Sequence, residues 1–157
     1  MAPGSIASHN QSERLLAPKP MNEQYSEPLS STSSGAIRAL SILRIAVGAG
    51  CLIAPRWTCA LFQFPIAASV SVMPRLFGGR DLVLGELLMT AEDENAHDGG
   101  RREIKRALWA GIGTDAIDIG AIAFGVATGT VGKLPGAIFA GGAVAFIGLG
   151  ALGMRGL

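Results

Sequence analysis

The polar and apolar positions of this chain fall into long blocks. Residues 1–34 are polar, carrying Pro3, Pro18, Pro20 and Pro28 ahead of a closing SSTSS run. So few apolar side chains cannot bury enough surface to offset the entropy of ordering, and the segment reads as a disordered tail. Residues 35–157 are a succession of apolar runs. The last is the clearest: Leu134 to Met154, 21 residues between Lys133 and Arg155, holds no charge, hydroxyl or amide. That length matches the ~20 residues a helix needs to cross a hydrocarbon core of about 30 Å. Ala36–Ala54, Arg75–Ala91 and Ala107–Thr128 read as three earlier crossings. The pattern therefore predicts an all-α fold, a four-helix transmembrane bundle behind a disordered N-terminal tail.

Two connecting segments complete the reading. Trp57–Pro74 is apolar but broken by Pro65, which predicts an interfacial or re-entrant piece with Trp57, Phe62 and Phe64 at the headgroup boundary. A full extra crossing is the alternative. Glu92–Arg106 (EDENAHDGGRREIKR) reads as a solvated loop. Four crossings put the tail, this loop and the C-terminus on one side, with Arg14, Lys19, Arg38, Arg101, Arg102, Lys105, Arg106 and Arg155. The other side has Arg56, Lys133 and Arg75, so the positive-inside rule places both termini in the cytoplasm. No basic start followed by an apolar core occurs in residues 1–34, so no cleavable signal peptide is expected. The expected location is a membrane, with the endoplasmic reticulum compatible.

Composition supports the membrane reading. Hydrophobic residues make up 49% and charged residues 16%, against about 25% charged in soluble domains. A soluble bundle needs a polar face on each helix, and the last run has none. The 22 glycines would weaken helices in water, whereas in lipid they let helices approach closely. A net charge of +1 lacks the footprint of a nucleic-acid binder. Cys51, Cys59, His9 and His97 are too few and too scattered for a metal or cofactor site, and none is expected. Cys51 reads as a small packing residue, with no histidine near enough to activate it.

The candidate chemistry lies in ionisable residues at membrane depth. In the third crossing Gly111, Asp115, Asp118, Ile122 and Gly125 share a stripe at about 100° per residue. Two ionised Asp cost about 5–7 kcal/mol on an insertion scale, and the large apolar residues of that run return only about 2–4. This helix needs partners. The first crossing supplies Arg44, on a face with Ile37, Leu40, Ser41, Gly48 and Cys51. The second supplies Arg75 and Glu86 on one stripe with Gly79 and Leu82, Asp81 near Gly78 and Gly85 on another, and Arg80. At most three cations thus face four acids (Asp81, Glu86, Asp115, Asp118). In a dry cluster at least one carboxyl then keeps its proton, the minimum equipment for acid–base chemistry. Ionisable residues in a membrane are by default a site hypothesis; the competing reading is that they only fix helix register.

The run RLFGGRDLVLGELL (Arg75 to Leu88), followed by DAID (Asp115 to Asp118), resembles a family of small four-helix membrane proteins of unknown function, reminiscent of DoxX-like proteins. The resemblance covers about residues 36–155. It implies a role near lipophilic intermediates of specialised-metabolite pathways and brings no assigned catalytic residues. Two functions are expected on these grounds. One is an intramembrane enzyme without a cofactor, in which Asp115, Asp118, Asp81 or Glu86 protonates a lipophilic small molecule while Arg44 and Arg80 stabilise charge. Isomerisation, cyclisation or epoxide opening would fit. The other is a non-catalytic scaffold or carrier, with Gly141, Ala145 and Gly148 serving a homo-oligomer or pathway enzymes.

Overall fold

A computed structural model of the chain describes residues 29–93 and 96–157. Five α-helices form among them: α1 (Ser31–Ile53), α2 (Pro55–Leu61), α3 (Val72–Met89), α4 (Arg101–Ala127) and α5 (Lys133–Met154). A 3-10 turn spans Ala68–Val70, and no strand occurs among the described residues.

Helices α1 and α4 begin earlier than apolar content alone indicates, because polar side chains bond the amides at their starts. Ser30 accepts a hydrogen bond from the Ser33 amide at 3.2 Å, satisfying one free donor of the first turn. Residues 31–34, expected in the disordered tail, are therefore the first turn of α1. Residues 1–28 of that expectation lie outside the described residues. Ser33 itself is buried; it donates to the Gly153 carbonyl at 2.6 Å and accepts from the Gly156 amide at 3.1 Å. This ties the start of α1 to the end of α5. Helix α4 likewise starts earlier than expected. Asp98 accepts from the amides of Gly100 and Arg102 at 3.1 and 3.2 Å, and Ile104 and Leu108 are buried. Arg101–Arg106 are thus helix, not loop, although Arg102, Glu103, Lys105 and Arg106 stay exposed.

The segment between α1 and α3 contains no helix long enough for an extra crossing. Its one α-helix, α2, has 7 residues, a rise of about 10 Å. It folds back with the 3-10 turn over one end of the bundle.

Helix α1 packs against α3 and α5, and α4 packs against the same two. The α1–α3 contact is close because both partners offer glycine. A Cβ on Gly48 would fall 2.6 Å from the Leu82 amide nitrogen, and one on Gly78 2.6 Å from the Gly48 carbonyl oxygen. Gly85 meets Ser41 and Ile45 further along, so the two helices run antiparallel. Ile37, Leu40, Leu88, Ile104 and Leu108 form an apolar core near one end.

Polarity is inverted relative to a protein in water. The largest fully buried side chain is that of Arg44, and Asp81, Asp115, Ser33 and Ser41 are buried too. Ile117, Phe124 and Leu76 are 72%, 71% and 65% exposed. Helices α1, α4 and α5 are long and apolar enough to cross a membrane. These are the features of an integral membrane protein, with lipid taking the place of a soluble protein's outer polar layer.

Candidate functional site

The face of α1 read from the sequence is the face that α1 buries: Ile37, Leu40, Ser41, Arg44, Gly48 and Cys51. Arg44 stands midway along it and reaches two helices at once. Its Nη1 donates to Asp81 Oδ1 on α3 at 3.0 Å and its Nη2 to Asp115 Oδ2 on α4 at 2.5 Å. The guanidinium has room because α4 carries Gly111 opposite, where a Cβ would lie 3.1 Å from Nη2. The Phe146 ring of α5 covers it at 4.9 Å from the centroid, a cation–π contact that partly replaces lost hydration.

Arg80 extends the network. Its Nη1 and Nη2 donate to the two oxygens of Asp118 at 3.0 and 2.7 Å, a bidentate pair, and its Nη2 lies 3.5 Å from Asp81 Oδ1. Phe77, one turn back on α3, stacks under it at 4.4 Å. The Arg80 Nε is buried without a hydrogen-bond partner among the described residues. The ion chain therefore runs Asp115, Arg44, Asp81, Arg80, Asp118 and joins α1, α3 and α4. Charge-assisted pairs of this kind offset part of the burial cost of each ion.

Five of the six site residues read from the sequence thus come together, and Glu86 does not. Glu86 is exposed one turn before the end of α3. It sits about 140° round the helix from Asp81. Arg75, the third candidate cation, is exposed near the other end of α3 and gives its Nε to the Leu52 carbonyl at 3.3 Å. One charge of each sign drops out, so the excess of one carboxyl survives: Asp81, Asp115 and Asp118 against Arg44 and Arg80.

The feature that sequence reasoning missed is a cavity of about 650 Å³ on one side of this network. Asp81, Asp115 and Asp118 form its polar end; Phe62, Phe64, Phe77, Phe139 and Phe146 supply much of the apolar wall. Phe62 stacks on Phe139 at 5.3 Å and Phe64 meets the same ring edge-on at 6.0 Å. Phe62 and Phe64, expected at the headgroup boundary, are half-buried, with their rings against Phe139 of α5. Pro65 breaks the chain just beyond them and lets the segment turn inward. Phe139 and Phe146 gave no signal, because α5 has no polar residue beyond Lys133 at its start to orient its faces. Cys51 and Cys59 also line the cavity, and burial pushes the Cys59 thiol above its ordinary value. Among the described residues no group of His, Cys, Asp or Glu is arranged to hold a metal ion.

The fold and this site define an integral membrane protein with a paired-ion layer and a greasy chamber beside it. No family model matches the chain, and no curated protein or solved structure matches it.

Proposed function

We propose that this protein takes a lipophilic small molecule from the bilayer into the cavity and exposes it to proton transfer by the Asp81, Asp115 and Asp118 carboxyls. The observation that carries the reading is the presence of three carboxyls on the wall of an otherwise apolar chamber. A volume near 650 Å³ is within the usual range of small-molecule sites. Three carboxyls against two guanidiniums carry one negative charge too many for a dry interior. A proton balances it, and that proton is available to a bound alkene, epoxide or carbonyl. Arg44 and Arg80 hold the other two carboxyls ionised. Isomerisation, cyclisation and epoxide opening are the reaction classes this equipment suits.

In this reading α3 crosses as well, the second of four crossings along the chain. Its 18 residues rise about 27 Å, its mid-helix charges Arg80 and Asp81 turn inward, and Leu76, Val83 and Leu87 are exposed. Its outward charges, Arg75 and Glu86, lie within a turn of its ends, where long side chains reach the headgroups. Both termini then lie in the cytoplasm by the distribution of Lys and Arg. A place among specialised-metabolite enzymes rests on the resemblance of Arg75–Leu88 and Asp115–Asp118 alone.

A second reading is favoured by the ion pairs themselves, which bridge three helices and would serve a scaffold or carrier as a staple. Deleting the gene and profiling accumulated lipophilic metabolites identifies the substrate. Asp115→Asn and Asp118→Asn then decide between the readings. Proteins that accumulate normally in the membrane but no longer convert that metabolite support acid–base work. Normal conversion by both variants rejects it, and loss of folded protein from both points to the staple.

A further inference from the structure

We infer that the occupant of the cavity is a lipophilic base, held as its ammonium ion by Asp81 and Asp115. This rests on the cavity being a ligand site, as proposed above, and adds the charge and chemical class of the ligand.

The oxygens of the network are not all used. Asp118 gives both to Arg80, but Asp81 bonds through Oδ1 and Asp115 through Oδ2. Asp81 Oδ2 and Asp115 Oδ1 have no hydrogen-bond partner among the described residues. Their side chains are only 2% and 4% exposed, and both line the cavity. These two oxygens open on the cavity, and a carboxylate oxygen out of water needs a donor. The protein supplies none here, since neither Arg44 nor Arg80 lines the chamber. The other ionisable groups on the wall are the thiols Cys51 from α1 and Cys59 from α2, while α5 contributes only apolar residues. No positive group thus faces the ligand among the described residues.

The ligand classes now separate. An anion would meet three carboxyls and no cation. An alcohol could satisfy the free oxygens but has no basic nitrogen to take up the proton that balances the carboxyl set. An ammonium ion does both, and aromatic rings such as Phe62 and Phe139 are favourable neighbours for a cation as well as for a hydrocarbon body. The step balances. The base enters from lipid as the neutral amine, and its nitrogen lone pair takes the proton that balances the carboxyl set. An N–H bond forms as an O–H bond breaks, leaving three carboxylates opposite two guanidiniums and one ammonium.

The test uses the full chain in lipid nanodiscs, with dodecylamine and dodecanol as matched probes and empty nanodiscs subtracted for partitioning. Saturable binding of the amine, about tenfold or more tighter than the alcohol, is expected. That preference should vanish in Ala143→Trp, whose ring enters the cavity from α5, a helix that carries no member of the ion chain. Equal saturable binding of both probes to the wild-type chain overturns the ammonium assignment and leaves the cavity reading standing. Binding of neither probe sinks the cavity reading as well. A preference that persists in Ala143→Trp places the site elsewhere and also overturns the inference.

Discussion

Arg44 illustrates how one side chain sets the cost of every other in its layer. Removing it leaves Asp115 without a cation and Asp81 with only the 3.5 Å contact to Arg80, and stranding a buried charge costs about 3–5 kcal/mol. Arg44→Ala should therefore lose most folded protein in a detergent thermal-stability assay, whereas Glu86→Gln, at an exposed position, should change stability by no more than about 0.5 kcal/mol. Equal losses from the two would contradict the ion chain. Cys59 offers a check on the chamber wall. Its thiol is buried and raised above its ordinary value, and only the thiolate reacts. With a raised value, the thiolate is scarce at neutral pH and becomes abundant only as pH climbs past it. Alkylation of Cys59 in a Cys51→Ala background should be slower at pH 7 than that of an exposed thiol. It should accelerate further into the alkaline range than free cysteine does.

At the scale of elements, the pairing of α1 with α3 decides whether the site exists at all. Arg44 reaches Asp81 because Gly48 and Gly78 let the two backbones close. Gly48→Leu must push α3 away, and overpacking of this kind costs about 1–3 kcal/mol. The expected readout is a lower melting temperature and an earlier, broader gel-filtration profile in detergent. An unchanged profile would mean the helices are not in close contact. Gly141, by contrast, has nothing within 4 Å of a Cβ position and is exposed on α5. Gly141→Ala should leave the monomer fold unaltered, so any effect it has would report on a partner helix.

For the whole molecule, the inverted polarity has a direct chemical consequence. A water-soluble carbodiimide should label Glu86 and the acids near the start of α4, and spare Asp81 and Asp115, whose side chains are almost fully enclosed. Peptide mapping by mass spectrometry reads this. Rapid labelling of Asp81 and Asp115 in intact membranes would remove the site. Orientation has its own test: a glycosylation acceptor inserted near Gly129 should be modified, and one near Gly99 should not, if the Lys/Arg asymmetry sets topology.

The apolar blocks of the sequence determined by themselves that the chain is helical and belongs in a membrane. An uninterrupted run such as Leu134–Met154 has no other stable solvent, and the 3.6-residue period alone placed Arg44 on the inward face of α1. Tertiary structure decided everything that depends on which stripe of a helix meets a neighbour. On α3 two stripes bore charge, and only packing against Gly48 and Ser41 selected Asp81 over Glu86. The chamber was wholly a tertiary matter. It exists because Phe62 and Phe64 fold back onto Phe139, and contact between residues so far apart along the chain leaves no periodic trace in either segment.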